Sequence, residues 1–324
     1  MNSPALHSGL AQPLQRFLDL RRLAGTDYES QARLLRYFDQ FLETQGVTEP
    51  RLTREIIEAY HQSLAHLRPR TQANRYGVVR QFCEYLSRTD PQSYVPERLR
   101  GTRAADAHPP HIYSPTEIQN LLAAAAQLAP AHSLRPHTYR TLFGLLYSTG
   151  LRIGEACALN LEDYHEDQQS LYIAEGKFHK ARWVPLSASA REVLRQYLQR
   201  RQRLAPCTPD APLLLNLRGR RLRHPTVYHT FRDLLRQCGI PHGPQAGPRI
   251  HDLRHTFAVH RVLAWYRDGQ DVNARLPWLA TYLGHVGISS TQVYLRATAE
   301  LLEQVDQRFH QHYLQHIQSR GATP

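Results

Sequence analysis

Near the C-terminal end of the sequence, histidine, arginine and tyrosine residues follow one another in an order that could bind and attack a phosphate. His251 and Arg254 are three residues apart, so they would share one face of a helix. His285 comes after a Leu-Gly pair, and Tyr294 follows it nine residues later. A guanidinium matches the non-bridging oxygens of a phosphodiester with paired hydrogen bonds, and a tyrosine hydroxyl can act as a nucleophile. The set predicts a site that holds a phosphodiester and attacks it.

A second arginine, Arg152, extends this pattern from the middle of the chain. An apolar run over residues 139–148 predicts a helix that ends at Gly150, and Arg152 then stands at the start of the next helix. Backbone N–H groups at a helix start favour an anion. Arg152 and Arg254 together would form a clamp for a phosphate.

Lysine is confined to one short segment. Of the 40 Lys and Arg residues only Lys177 and Lys180 are lysine, and both lie between the β-type runs 170–174 and 182–186. The segment is therefore predicted to be the turn of a hairpin. A lysine in a positive, partly desolvated site gives up its proton more readily than arginine, which makes this pair a candidate for a general acid. The alternative is that the lysines only solvate an exposed turn.

Tyr294 competes with other tyrosines for the role of nucleophile. It lies on a predicted helix with Ser289 as the N-cap, whereas Tyr282 is in an apolar run and is expected to be packed. Tyr313 belongs to an amphipathic tail over residues 298–319. Position in the ordered set, and not residue type, favours Tyr294.

The histidines allow a second interpretation, a metal site. His251 and His255 have the spacing of zinc ligands on a helix. A zinc protease would need a glutamate directly after the first histidine, and this chain has Asp252 there. No third ligand stands out among the 19 histidines. We therefore predict no metal, and we expect His255 to support or pack against the site.

The sequence resembles the tyrosine recombinases, a family that includes the lambda-type phage integrases and the Xer recombinases. The resemblance covers residues 110–300 strongly and the first hundred residues only in general character. It is carried by five motifs in family order: Arg152 in Thr-Gly-Leu-Arg-x-x-Glu, Lys177 after a glycine in a hairpin, His251-x-x-Arg254, Gly284-His285 and Tyr294.

This resemblance implies a role for each motif residue. Tyr294 would attack the scissile phosphate and form a 3′-phosphotyrosyl bond, releasing a 5′-hydroxyl. The other implied roles are phosphate holding by Arg152 and Arg254, protonation of the leaving oxygen by Lys177, proton transfer from the tyrosine by His251, a hydrogen bond to the phosphate by His285, and support of the site by Glu155. Because the covalent bond conserves the phosphodiester energy, no cofactor, ATP or metal ion is implied.

Composition predicts two domains and a polyanionic partner. The chain has 324 residues, a formal charge of +12 and a pI near 9.8. With the resemblance, this implies double-stranded DNA carrying paired recombination sites. Four cysteines lack paired spacing, and neither a signal peptide nor an apolar run of spanning length is seen. We therefore expect no membrane association and a cytoplasmic, nucleoid-associated protein.

The predicted fold is mainly α with a small β-hairpin or sheet. Helix-period apolar positions over residues 10–23, 28–45, 53–67 and 71–87 predict an N-terminal helical domain, residues 1–100, which resembles a four-helix core-binding domain. Residues 101–113 are predicted to be a linker. Residues 114–324 would form the α+β catalytic domain with a C-terminal amphipathic helix. Its first helix is predicted to start with an N-cap at Ser114 and a capping-box partner at Glu117.

Two groups of arginines are candidates for contacts with DNA phosphates. One is in the N-terminal domain, and the other is in a basic loop before a helix predicted from about residue 226. The alternative for both is that they only solubilise the surface. The residues are Arg68, Arg70, Arg75 and Arg80 in the first group and Arg218, Arg220, Arg221 and Arg223 in the second.

We predict a site-specific recombinase or integrase that moves or resolves a mobile element. The resemblance implies a dimer on each DNA site and a tetramer in synapsis, with the C-terminal tail docked on a neighbouring protomer. Residues 265–277 form a longer stretch than in the simplest members and resemble recombinases of transposon-like bacterial elements that encode several such enzymes together. This resemblance implies partner recombinases, without which the protein would be inactive. The alternatives are a topoisomerase-like strand-passing enzyme and a DNA-binding architectural subunit with an idle site.

Overall fold

A computed structural model describes residues 6–25, 28–99, 110–174, 181–243, 247–285 and Thr291. The described residues form two compact units, one over 6–99 and one from residue 110 onward. Each unit has its own hydrophobic core. The structure is mostly helical with one small antiparallel sheet, which confirms the predicted fold class.

The N-terminal unit consists of four helices in the part of the chain described. They are α1 (Ala11–Leu23), α2 (Glu29–Thr44), α3 (Arg54–Ser63) and α4 (Pro69–Leu86). Phe17, Phe38 and Phe82 are fully buried between them.

Each of these helices overlaps a predicted run, and the largest difference lies between α3 and α4. The third predicted run extends to residue 67, but α3 ends at Ser63. A residue before proline is disfavoured in the helical region. Arg68 is accordingly extended, and Pro69 opens α4 at a position where its missing N–H costs nothing.

The second unit contains seven helices and three strands among its described residues. The helices are α5 (Pro115–Ala126), α6 (Arg135–Thr149), α7 (Ile153–Ala158), α8 (Ala188–Arg201), α9 (His224–Gln237), α10 (Asp252–Arg267) and α11 (Val272–Leu283). The strands are β1 (Tyr164–His165), β2 (Ser170–Ile173) and β3 (Arg182–Pro185).

The sheet confirms the two predicted strands on either side of the lysine segment. Its order is β1-β2-β3, and β2 pairs antiparallel with β3 so that Leu171 faces Val184 and Ile173 faces Arg182. Leu171, Ile173 and Val184 are buried against the core of the unit. The turn itself, residues 175–180, lies outside the described residues.

Helix α6 is the central helix of the second unit, because most of its circumference is apolar. Leu142, Phe143, Leu145 and Leu146 are all buried, and α5, α8 and α10 pack around it. Phe143 contacts Phe231 of α9 with ring centroids 5.6 Å apart. The predicted apolar run is thus a buried helix. The Thr-Gly-Leu-Arg motif begins at its C-terminal end, where Thr149 and Leu151 are buried.

Two expectations drawn from composition concern cysteines and membranes. The four cysteines are free; Cys83 and Cys157 are buried, whereas Cys207 is exposed and does not act as a buried apolar side chain. None of the helices in the described ranges combines the length and the apolar character that a membrane crossing requires.

The start of α5 confirms the predicted capping box. Ser114 Oγ accepts the backbone N–H of Glu117 at 3.1 Å, and a Glu117 carboxylate oxygen accepts the Ser114 N–H at 2.7 Å. Two N–H groups that the helix leaves unpaired are therefore satisfied by side chains.

Replacing Ser114 with alanine removes the acceptor for the Glu117 N–H. We expect the first turn of α5 to lose about 1 kcal/mol, which corresponds to roughly fivefold faster amide exchange at Glu117. The Ser114→Thr variant keeps the cap and serves as the control. Equal exchange in the wild type and the alanine variant would show that the cap does not stabilise this turn.

Candidate active site

The site begins at the sharp junction between α6 and α7. Gly150 ends α6 with φ +64°, and a Cβ atom there would lie 2.6 Å from the Phe257 ring and 2.8 Å from Leu283. Only glycine adopts this positive φ angle readily and has no Cβ atom to collide with Phe257 and Leu283. Arg152 is then the N-cap of α7, as the motif predicts.

The backbone N–H of Arg152, the N-cap of α7, is bonded within the chain. Glu155 folds back on the helix start, and its Oε2 accepts the Arg152 backbone N–H at 2.9 Å. A glutamate three residues after the N-cap thus makes the return bond of a capping box.

Glu155 is held between two arginines. Its carboxylate accepts from Arg152 Nη1 at 2.7 Å and from Arg182 Nη1 and Nη2 at 3.1 and 2.8 Å. Burial alone would raise the pKa of Glu155, but the hydrogen bonds from Arg182 and Arg152 outweigh it and lower the pKa. The carboxylate is therefore ionised and fixes the direction of both guanidinium groups.

Arg182 is a site residue that the sequence analysis missed. It opens β3, and its Nε donates to the Tyr282 carbonyl at 2.9 Å in addition to its bonds with Glu155. These partners lie 27 and 100 residues away along the chain. The only available signal was its position at the inner end of a predicted strand, next to the lysine segment.

Arg254 connects the α6–α7 junction to the end of α11. It lies in the first turn of α10 and is 1 % exposed. Its Nη1 donates to the Gly150 carbonyl at 2.6 Å and its Nη2 to the Leu283 carbonyl at 2.5 Å. Five N–H donors allow one guanidinium to hold several oxygens at once.

Three arginines therefore hold three consecutive carbonyls at the C-terminal end of α11. Arg182 bonds Tyr282, Arg254 bonds Leu283, and Arg152 Nη2 bonds Gly284 at 3.1 Å. We refer to Arg152, Arg182 and Arg254 as the arginine clamp. The clamp suits a helix end, whose last carbonyls lack partners within the helix and carry partial negative charge.

Gly284 makes the close approach of the clamp possible. It has φ +66°, and a Cβ atom there would lie 3.1 Å from Arg182 Nη1. The next residue, His285, is thereby placed beside the clamp. The glycine before the histidine in the motif is thus explained by backbone conformation and by a neighbouring guanidinium.

The histidines of the site are held in their neutral form. Desolvation lowers the pKa of His285 to about 4, and the Arg254 and Arg152 charges act in the same direction. His251 is exposed as a whole residue, but its ring packs edge-on against the His255 ring with centroids 4.8 Å apart. Desolvation of the ring is the largest cause that lowers the pKa of His251 to about 4, and the His255 and Arg254 charges add to it. Near pH 7 each ring is therefore uncharged, with one nitrogen that accepts a hydrogen bond and one N–H group that donates one.

Four of the six predicted catalytic residues therefore lie together: Arg152, His251, Arg254 and His285. Lys177 and Tyr294 lie outside the described residues. The three guanidinium groups of the arginine clamp outnumber the one Glu155 carboxylate. The clamp and Glu155 together therefore have an excess of positive charge, next to the neutral imidazoles of His251 and His285. Such a cluster can bind a phosphate and stabilise negative charge that develops on it.

The residues considered for the alternative metal site make other contacts in the structure. Asp252 is fully buried and accepts the Arg249 backbone N–H at 2.9 Å. His255 packs on His251, as expected from the sequence. Across the ranges that the structure describes, no group of three His, Cys, Asp or Glu side chains is arranged to hold a metal ion.

Tyr282, the rival tyrosine next to the glycine–histidine motif, is packed. Its ring stacks on Phe257 with centroids 5.7 Å apart, and burial raises its pKa to about 12. This confirms the expectation that Tyr282 is a packing residue.

Of the four arginines in the basic loop before α9, three are exposed and one is bonded within the protein. The Asn216 side chain accepts the backbone N–H groups of Arg218 and Arg220 and so closes a tight turn. Arg218, Arg220 and Arg223 are exposed around a surface groove. Arg221 points inward instead, and its guanidinium donates to the carbonyls of residues 157–159 at the end of α7.

The N-terminal arginines divide in a similar way. Arg68 and Arg70 are exposed at the start of α4. Arg75 stacks over Tyr37 at 5.2 Å, and Arg80 donates to the Pro96 carbonyl at 2.9 Å and pairs with Glu84. Arg68 and Arg70 are therefore the two whose surroundings best suit a phosphate.

Comparison with known proteins establishes the family. The sequence profile of the phage integrase family matches residues 113–301. An inferred integrase/recombinase of Sinorhizobium fredii, y4rB, is 38% identical over 93% of this chain and 97% of its own length. The tyrosine recombinase XerD of Caulobacter vibrioides is 33% identical over 83% of this chain and 85% of its own length. The chain belongs to the phage integrase family, the tyrosine recombinases, which cleave and rejoin DNA.

Solved structures support the fold. The integrase of the transposon Tn1549, bound to transposon right end DNA, has a TM-score of 0.66 at 17% identity, over 91% of this chain and 98% of that one. The XerH site-specific recombinase in a post-cleavage complex with difH DNA has a TM-score of 0.63 at 20% identity, over 87% and 79% of the two chains. At these identities the likeness concerns the fold alone.

Replacing Glu155 with glutamine keeps its size but removes the charge that two largely buried guanidinium groups share. We expect the free energy of unfolding to fall by about 3 kcal/mol, because Arg152 and Arg182 keep their charges without a full partner. Chemical denaturation measures the loss. The matched control is Glu192→Gln, since Glu192 pairs with Arg195 at an exposed site and its loss should leave the free energy of unfolding almost unchanged. Equal losses would contradict the proposed importance of the buried pair.

The lowered pKa values of His251 and His285 predict a dependence of stability on pH. In the unfolded chain a histidine binds protons near pH 6.5, whereas in the fold both pKa values are about 4. The unfolded state therefore takes up protons first, and the free energy of unfolding falls as the pH drops from 6.5 towards 4. We expect the double variant His251→Asn/His285→Asn to lose less stability over this range than the wild type. Identical pH profiles of the denaturation midpoint would contradict the lowered values.

Proposed function

We propose that this enzyme cuts and rejoins DNA at specific sites through a covalent bond between Tyr294 and a 3′ phosphate. The observation that carries the proposal is the convergence of Arg152, Arg254 and His285 around the end of α11. These residues come from three separate parts of a chain that belongs to the tyrosine recombinases. Each is of a type that binds a phosphodiester, and their order matches the family motifs.

The proposed chemistry is a pair of transesterifications. The Tyr294 hydroxyl oxygen attacks phosphorus as the bond from phosphorus to the 5′ oxygen breaks, and Lys177 gives a proton to that leaving oxygen. A 5′-hydroxyl from a second strand then attacks the phosphotyrosine and restores both the tyrosine and a phosphodiester. One ester is exchanged for another in each step, so the reaction needs neither ATP nor a metal ion.

The remaining residues would bind the phosphate and move protons. Arg152 and Arg254 hold the non-bridging oxygens, and His285 donates a hydrogen bond to one of them. The His251 imidazole is neutral near pH 7, so one ring nitrogen can accept the tyrosine proton, and its lowered pKa makes it a weaker base than a free histidine. Glu155 acts indirectly, by directing Arg152.

We further propose that the two units bind DNA together. The N-terminal unit, residues 1–100, would act as the core-binding domain, joined by a linker over residues 101–113 to the catalytic domain, 114–324. Exposed Arg68 and Arg70 in one unit and Arg218, Arg220 and Arg223 in the other would contact phosphates. Arg75, Arg80 and Arg221, whose guanidinium groups contact other parts of the protein, would support the fold instead.

The biological substrate that we propose is a mobile element with paired sites, in a cytoplasmic, nucleoid-associated setting. Among the similar proteins, one is a transposon integrase bound to transposon end DNA. Synapsis would involve a dimer on each site and a tetramer overall, with the C-terminal tail docked on a neighbouring protomer, and partner recombinases would act with it. Unchanged synaptic assembly after deletion of the residues beyond Arg296 would exclude the docking.

The direct test is a trapping experiment on nicked suicide DNA from the ends of the element that encodes the chain. We expect the wild type to form a covalent complex and Tyr294→Phe to form none, because the nucleophilic oxygen is gone. The matched control is Tyr282→Phe, which keeps the ring that stacks on Phe257 and should retain the adduct. An adduct that persists in Tyr294→Phe would overturn the assignment.

A second assay separates the alternatives. Exchange of flanking DNA between two sites identifies a recombinase, whereas relaxation of supercoils without exchange identifies a topoisomerase-like enzyme. Specific binding without any adduct in the wild type would identify an architectural subunit.

A further inference from the structure

Thr291 is a buried polar residue in contact with His285 of the candidate site. Its side chain is 0 % exposed, and its Oγ1 lies 2.8 Å from Nδ1 of His285. A hydroxyl is buried at little cost only when it is hydrogen-bonded, so this contact accounts for a threonine in a fully enclosed position. The bond joins His285, the residue after the last carbonyl held by the arginine clamp, to Thr291, which is three positions before Tyr294 in the sequence.

The hydrogen bond restricts the state of the imidazole. A neutral imidazole has one N–H and one acceptor nitrogen, and the bond at one nitrogen decides the character of the other. If the Thr291 hydroxyl donates to Nδ1, the proton of the ring is on Nε2. If Nδ1 carries the proton and donates to Thr291, Nε2 presents only a lone pair.

A phosphate discriminates between these two states. Its non-bridging oxygens are acceptors, so they bond an Nε2–H group and repel an Nε2 lone pair. The threonine hydroxyl rotates, so it can either donate to Nδ1 or accept from an Nδ1–H group. Only the state in which Thr291 donates allows His285 to bind the same phosphate as Arg152 and Arg254.

We propose that Thr291 is a positioning residue that donates its hydroxyl hydrogen to His285 Nδ1 and thereby keeps the imidazole proton on Nε2, facing the scissile phosphate. This inference rests on the proposed function, because it assigns His285 to the phosphate. It adds a partner that acts through His285 and does not itself touch DNA. Partners that orient a metal-bound histidine in this way commonly change activity by roughly 10–100-fold, and we expect an effect of the same order for a histidine that binds a phosphate.

Thr291→Val tests the hydroxyl, since valine keeps the branched shape and removes only the donor. At saturating nicked suicide DNA, we expect the full-length variant to form the covalent complex roughly 10–100-fold more slowly than the wild type, with unchanged DNA affinity. Thr291→Ser keeps the hydroxyl and should restore most of the rate. Equal loss in the serine and valine variants, or no loss in valine, would overturn the proposal.

A double variant tests whether Thr291 acts through His285. If it does, Thr291→Val causes no further loss of rate when combined with His285→Asn, because the imidazole that it orients is absent. A further loss as large as in the wild-type background would contradict the proposal.

The tautomer can be observed without DNA. In protein with ¹⁵N-labelled histidine, at neutral pH, we expect Nε2 of His285 to show the resonance of a protonated nitrogen and Nδ1 that of an acceptor. Thr291→Val should mix the two states, and His285→Asn assigns the signals. A wild-type ring protonated on Nδ1 would overturn the inference. Because this readout needs no cleavage, it is independent of whether Tyr294 forms an adduct.

Discussion

The bonds between three guanidinium groups and three consecutive carbonyls at the end of α11 are the interaction on which the candidate site depends. Arg152, Arg182 and Arg254 come from the start of α7, the start of β3 and the first turn of α10. A helix end supplies carbonyl oxygens that need donors, and arginine supplies several donors from one planar group. The clamp thus satisfies the helix end and gathers positive charge where the site needs it.

This arrangement explains why glycines accompany the catalytic motifs. Gly150 lets α6 end where the side chains of Phe257 and Leu283 leave no room for a Cβ atom, and Gly284 lets α11 end against Arg182. Both have positive φ angles. The motif glycines are therefore packing requirements of the clamp. Glu155 completes the arrangement, since an ionised carboxylate between two arginines reduces their mutual repulsion and fixes their directions.

The sequence predicted the elements well because their signals are local. Apolar periodicity indicated the helices, the capping box at Ser114 marked the start of α5, and β-type runs marked the two paired strands. It also predicted that Arg152, Arg254 and His285 belong to one site, because their order is characteristic of a family. The roles of Arg182 and Arg221 could not be predicted. Their partners lie 27 to 100 residues away and are mostly backbone carbonyls, which leave no trace in residue type.

The central claim is that the arginine clamp both ends α11 and forms the phosphate-binding surface. A crystal structure of the Tyr294→Phe protein on an uncleaved DNA site tests it most directly. We expect Arg254 and Arg182 to keep their bonds to the carbonyls of Leu283 and Tyr282, while Arg152 and Arg254 also contact the non-bridging oxygens of the scissile phosphate. Since Arg254 is 1 % exposed without DNA, its phosphate contact is the most demanding part of this prediction. Loss of the Arg254 or Arg182 bond to these carbonyls on DNA binding, or a scissile phosphate bound away from the clamp, would contradict this claim.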